Sequence, residues 1–201
     1  MFVQVIEGQV RDPEGARSHL ERWQEDICPG AVGILGSMAG VTDDGWLVHT
    51  ARFRSAGDAG ANSARPEQLA WWEEMEGLLE GPVRFHDCTD VVLLGDEDND
   101  RAGFVQVIQW PDPEGRPLPR IAASLEAFLQ KHRPDVIGAV LGRGEDGTVT
   151  QVVYFTSEEE ARQQEAKELP ADDARVLEEL WGARDTEPRY YDLRAPLLLS
   201  A

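Results

Sequence analysis

The 201-residue sequence predicts an α+β chain built as two tandem βαββαβ units, and three observations carry that expectation. The pentapeptide FVQVI occurs at Phe2–Ile6 and again at Phe104–Ile108, and DPEG follows each copy, at Asp12–Gly15 and Asp112–Gly115. Further matches keep the same order and nearly constant spacing: Pro29 with Pro134, Asp43-Asp44-Gly45 with Glu145-Asp146-Gly147, Phe53-Arg54-Ser55 with Phe155-Thr156-Ser157, Glu73-Glu74-Met75 with Glu178-Glu179-Leu180, and Asp87 with Asp192. Finally, each half alternates short runs rich in Val and Ile with stretches of helical periodicity. The first unit is expected over residues 1–95 and the second over 103–201, joined by an acidic linker at 96–102.

Each element has a local reason. Phe2–Gly8 is β-branched and short, as a strand should be. DPEG offers turn chemistry and an acidic helix start, after which Leu20, Trp23 and Ile27 recur at helical spacing until Pro29-Gly30 stops them. Ala31–Val41 and Trp46–Arg54 flank the Asp-Asp-Gly turn and read as a hairpin. From Arg65 onward, Leu69, Trp72, Met75 and Leu79 form one helical stripe. Gly81-Pro82 ends that helix, and Val83–Leu94 is the closing strand. The second copy repeats the order, with Val176, Leu177, Leu180 and Trp181 as its second-helix stripe.

Charge and composition narrow the function. Asp and Glu number 38 against 19 Lys and Arg, a formal charge of −19. Such a surface repels polyanions, so neither nucleic acid nor an anionic membrane is expected as a partner. The start of the chain lacks the basic and apolar pattern of a secretory signal, and the longest uncharged stretch, Ile27–Thr42, is Gly-rich and shorter than the roughly 20 apolar residues of a membrane span. A cytoplasmic protein is expected. Its two cysteines, Cys28 and Cys88, are distant in sequence and fit two buried thiols. No His spacing suggests a metal, and no glycine-rich phosphate loop or G-x-S-x-G is present, so the residues imply neither metal nor cofactor.

A βαββαβ unit is the ferredoxin-like arrangement, an antiparallel sheet with helices on one face. Two joined copies can cover their open faces by packing sheet to sheet. The element order, the two halves of similar length and the run PEQLAWWEEMEGLLEGPVRFHD resemble the dimeric α/β-barrel superfamily, its antibiotic-biosynthesis-monooxygenase-like branch in particular. The resemblance implies two ferredoxin-like repeats forming an intrachain α/β barrel, a pseudo-dimer in one chain. The rival glyoxalase-like βαβββ repeat lacks the second helix that Leu69–Leu79 supplies. The resemblance also implies a small apolar or aromatic substrate and a cofactor-independent, monooxygenase-like activity. Haem-degrading members carry an Asn on the first strand, where this chain has Gln4, and a second-helix His that it lacks, so haem degradation is not expected.

Polar residues present in only one copy are the candidates for chemistry. His49 aligns near Gln151, His86 with Tyr191, His19 with Ser124, and His132 with Ile27. Alternation puts Leu47, His49, Ala51 and Phe53 on one face and Arg52 on the other; His86 and Cys88 share a face of the closing strand. The expected site lies in the first half. There His49 and His86 would move protons, Arg52 would stabilise an enolate or phenolate, and Trp71, Trp72 and Asn62 would contact substrate. The other reading is a non-catalytic small-ligand-binding or stress-related interaction module. Gln4 and Gln106 are expected to hydrogen-bond across the pseudo-twofold axis, and the apolar Pro196–Leu199 offers a surface for further homodimerisation.

Overall fold

A computed structural model describes residues 1–95, 99–112, 114–175 and 188–200. Part of the acidic linker, Pro113 of the second DPEG and the stripe Val176, Leu177, Leu180 and Trp181 therefore lie outside the described residues. The first repeat holds β1 (Phe2–Val10), α1 (Pro13–Arg22), β2 (Ile34–Val41), β3 (Trp46–Phe53), α2 (Ala56–Ser63), α3 (Pro66–Leu78) and β4 (Leu79–Gly95). The second holds β5 (Phe104–Pro111), α4 (Leu118–His132), β6 (Val136–Gly144), β7 (Thr148–Phe155), α5 (Glu158–Glu165), β8 (Arg189–Leu193) and β9 (Leu197–Ser200).

Duplicated sequence signals set duplicated local structure. Asp12 caps α1 by accepting from Gly15 N at 3.0 Å, with Pro13 in the first turn. At the two hairpin tips Gly45 and Gly147 take φ +82° and +79°, a region open to glycine and costly for other residues. The matched Ser55 and Ser157 prove to be N-caps, accepting from Asp58 N and Glu160 N at 3.1 and 3.2 Å. Each opens a short helix, α2 or α5, absent from the expected order. The second-helix stripe also turns: α3 buries Trp71 and Met75 and leaves Leu69 56% exposed, while Leu79 already belongs to β4. The cause is a two-way clamp between α1 and α3. Trp71 Nε1 donates to His19 O at 3.0 Å, His19 Nε2 donates to Trp71 O at 2.8 Å, and the rings stack with centroids 4.8 Å apart.

The nine strands among the described residues form one antiparallel sheet, ordered β8-β5-β7-β6-β4-β1-β3-β2-β9. The long β4 pairs first with β1 and then, from Cys88 to Gly95, with β6 of the other repeat. Its counterpart does the same in two pieces: Arg189–Leu193 pairs with β5, and Leu197–Ser200 pairs with β2. Pro196 lies in the gap between them and has no N–H to give a ladder. Since both sheet edges belong to one run of chain, the sheet closes on itself as an α/β barrel. The apolar tail is thereby used inside the chain, as the strand on β2.

The barrel interior is apolar and drawn from both repeats, with Val3, Val5, Val48 and Cys88 against Val105, Val107, Val152 and Tyr154. The outer faces carry a helix-covered core in each repeat. Both cysteines are free and buried. Gln4 and Gln106 do not meet across the axis; each donates within its own repeat, to Asp87 at 3.0 Å and Asp192 at 2.9 Å. The pleat explains it, because both glutamines point to the helix side, away from the valines that fill the barrel. No described helix is long and apolar enough to cross a membrane.

Candidate functional site

Between its helices and sheet the first repeat is packed solid with aromatic rings. His49 is 5% exposed and meets Trp23 edge-on at 5.2 Å, and Trp23 lies 6.2 Å from Trp71. His49 Nε2 has no hydrogen-bond partner among the described residues, and burial pushes its pKa down to about 4, so it stays neutral. Trp72 sits on the rim, edge-on to Phe85 at 5.4 Å and donating to Glu76 at 2.8 Å. Asn62 is buried on α2, where its Oδ1 accepts from Arg65 at 3.1 Å.

Arg52 and His86 face the other way, into the barrel, because they stand opposite Val3 and Val5 of β1. Arg52 donates to Leu35 O at 3.3 Å. His86 reaches the barrel end and contacts the buried Glu7 Oε1 at 3.1 Å. That carboxylate also accepts from Arg84 at 2.7 Å and from the Tyr191 hydroxyl. Burial would raise the Glu7 pKa, but the bonds from His86 and Tyr191 and the Arg84 charge together hold it below the usual value. In turn the hydrogen bond to Glu7 raises His86, against its burial, with the Glu7 and Asp146 charges assisting and Arg84 opposing. Cys88 points at the His86 carbonyl, 3.9 Å away, and burial, with Asp87 and Asp146, pushes its thiol to about 12. No thiolate–imidazole pair forms. The structure thus does not gather His49, His86, Arg52, Trp71, Trp72 and Asn62 around one space.

Described residues of the second repeat line an open space between helix and sheet. A cleft of about 650 Å³ lies between α4 and the outer face of the sheet, within the usual range of small-molecule sites. Its apolar walls are Ile108, Leu125, Phe128, Val153 and Phe155. The matched pair Gln106–Asp192 forms part of the polar wall, together with Gln151 and His132. Arg162 also lines the cleft, already paired with Asp192 and, at 2.8 Å, with Glu165; Arg133 is held by Asp135 at 2.7 Å. His132 Nε2 stands 3.1 Å from Asp173 Oδ2. Among the described residues, α1 sends the indole of Trp23 toward its sheet where α4 brings the smaller Phe128; the residues matching Trp71 and Trp72, Val176 and Leu177, lie outside the described residues. Two clues to this cleft are visible in the sequence, for Gln151 stands where the first repeat has His49 and His132 where it has Ile27.

No family model matches the sequence, and no curated protein is similar to it. Solved structures are similar along the whole chain. A provisionally named monooxygenase of Fusobacterium nucleatum superposes with a TM-score of 0.75 at 12% identity, over 99% of this chain and 94% of that one. One from Lactobacillus acidophilus gives 0.68 at 13%, over 99% of each chain. An anthrone oxidase-like protein gives 0.69 at 13%, over 98% of this chain and 92% of that one. The shared fold is an α/β barrel of two ferredoxin-like repeats. Within that barrel the space between helices and sheet of the first repeat holds the indoles of Trp23 and Trp71, and described residues of the second repeat line a cleft in the matching position.

Proposed function

We propose that the protein binds a small, flat, largely apolar molecule in the second-repeat cleft and oxidises it with O₂, as a monooxygenase-like enzyme without a bound cofactor. The observation that carries this reading is the 650 Å³ cleft with aromatic and aliphatic walls and one imidazole among its described lining residues. Phe128 and Phe155 would pack against a flat ring system, Gln106 and Gln151 would orient a ring oxygen, and the apolar walls would keep water out. His132, beside Asp173, is the group placed to accept a proton from the substrate. His49, Trp71, Trp72 and Asn62 serve the packing of the first repeat in this reading. A binding role without turnover has one observation in its favour: Arg133 and Arg162, the arginines among the described lining residues, are already paired with carboxylates, which leaves neither guanidinium to stabilise an enolate or phenolate.

Anthrone, the compound class named for one structural neighbour, is a suitable probe. Saturable quenching of tryptophan fluorescence is expected in the wild type and should be weakened in Leu129→Trp, which narrows the cleft at one of its lining positions. A response unchanged in Leu129→Trp would refute the site. Oxygen uptake with anthrone, lost in His132→Asn while binding persists, is expected of the enzyme; binding without uptake would favour the non-catalytic reading.

A further inference from the structure

At one end of the barrel the two repeats meet in a charged constellation that the cleft does not use. Three matched positions converge there. Arg84 and Arg189 are opposite β1 and β5 at Glu7 and Gln109, while His86 and Tyr191 are opposite Val5 and Val107. The first repeat thus supplies a carboxylate and an imidazole where the second supplies an amide and a phenol, and the arginines occur in both. Glu7, Arg84, His86, Gln109 and Arg189, together with Thr148, border an open cavity of about 290 Å³.

The donors here exceed what the buried carboxylate can use. Glu7 Oε1 accepts from Arg84 Nε and His86 Nε2, and Oε2 accepts from Tyr191. Arg189 Nη1 donates to the Tyr191 hydroxyl at 3.1 Å and stands 3.6 Å from Glu7. The buried Nη2 of Arg84 has no hydrogen-bond partner among the described residues. A guanidinium presents its donors as a fork that matches a carboxylate. Both guanidiniums are steadied over the same indole, Trp46, at 5.2 and 5.7 Å from its centroid. His86 Nδ1 faces outward, 3.7 Å from Asp146 of the second repeat.

We propose that this barrel mouth is a binding site for a small carboxylate monoanion, held between the Arg84 and Arg189 guanidiniums with His86 beside it. The charge count sets the class. Two arginines and a protonated His86 face Glu7 and Asp146, which leaves one positive charge to be met. A dianion such as phosphate would face those carboxylates and a molecule carrying −19 overall. A carboxylate with a short apolar body also suits a mouth bordered by Trp110 and Pro111.

The test is thermal shift on the full chain at pH 6.5, with benzoate, acetate, phosphate and chloride compared at equal ionic strength. Benzoate and acetate should raise Tm saturably above the chloride control, and the rise should vanish in Arg189→Gln, whose half-exposed side chain can be replaced without opening the core. The proton NMR signal of the His86 ring should move as benzoate saturates the wild type. A rise equal to that of chloride, a rise that survives in Arg189→Gln, a stronger effect of phosphate, or a His86 signal that stays put would each overturn the proposal.

Discussion

Replacing His49 by Gln should remove much of the acid sensitivity that one buried imidazole gives this fold. His49 lies among the rings of the first repeat, 5% exposed, and burial lowers its pKa from 6.5 to about 4. The unfolded chain therefore takes up a proton that the folded chain refuses. For a basic group lowered by folding, the stabilising contribution is complete above the unfolded pKa and is lost as pH falls toward the folded one. The full interval from 6.5 to about 4 is worth roughly 3 kcal/mol, and about 1.4 kcal/mol of it is lost between pH 7.5 and 5.5. That window stays above the isoelectric point near 4.5. Gln is the residue at the matched position 151, where it is also buried. Urea unfolding of wild type and His49→Gln at both pH values isolates the effect, since the other titrating groups cancel. His86, raised by Glu7, contributes with the opposite sign in both proteins, its stabilisation being lost as pH rises. The wild type should lose about 1.4 kcal/mol more than the variant on acidification. An unchanged difference between the two proteins would refute the reasoning.

Three further outcomes follow from packing and pairing. Trp71→Ala should cost about 3–5 kcal/mol by leaving a void against His19 and Trp23, yet anthrone quenching in the second repeat should keep its midpoint. Glu7→Gln strands Arg84, Arg189 and His86 around a neutral amide and should cost about 3 kcal/mol in chemical denaturation, the low end for a broken buried pair because both arginines keep some contact with water. Deleting residues 194–201 uncovers the edge of β2 from Gly36 to Ala39, and light scattering should detect association that the full chain does not show.

Much of the architecture could be read from the sequence because duplication is a long-range signal. FVQVI, DPEG and the acidic hairpin tips fix two copies in order, and two sheets with bare faces have to cover each other. What escaped is local. Ser55 and Ser157, each followed three residues later by an acid, carry a capping pattern and so mark the short helices α2 and α5. Strand alternation placed His49 and Arg52 on opposite faces, yet only the closed barrel shows that those faces lead to two separate compartments. The indoles drew attention to the first repeat because they are conspicuous, and they fill it for the same reason: large rings occupy volume. A cleft is a deficit of volume, legible at most as Phe128, Gln151 and His132 standing opposite Trp23, His49 and Ile27.

The cleft between α4 and the sheet of the second repeat is the proposed site for a flat apolar ligand, separate from the carboxylate site at the barrel mouth. Mapping the amide and side-chain NMR shifts caused by anthrone tests it most directly. The account predicts one site per chain, with the largest changes at Phe128, Gln151 and Val153 and none at His49 or Trp71. Two sites per chain, or changes centred on His49 and Trp71, would contradict it.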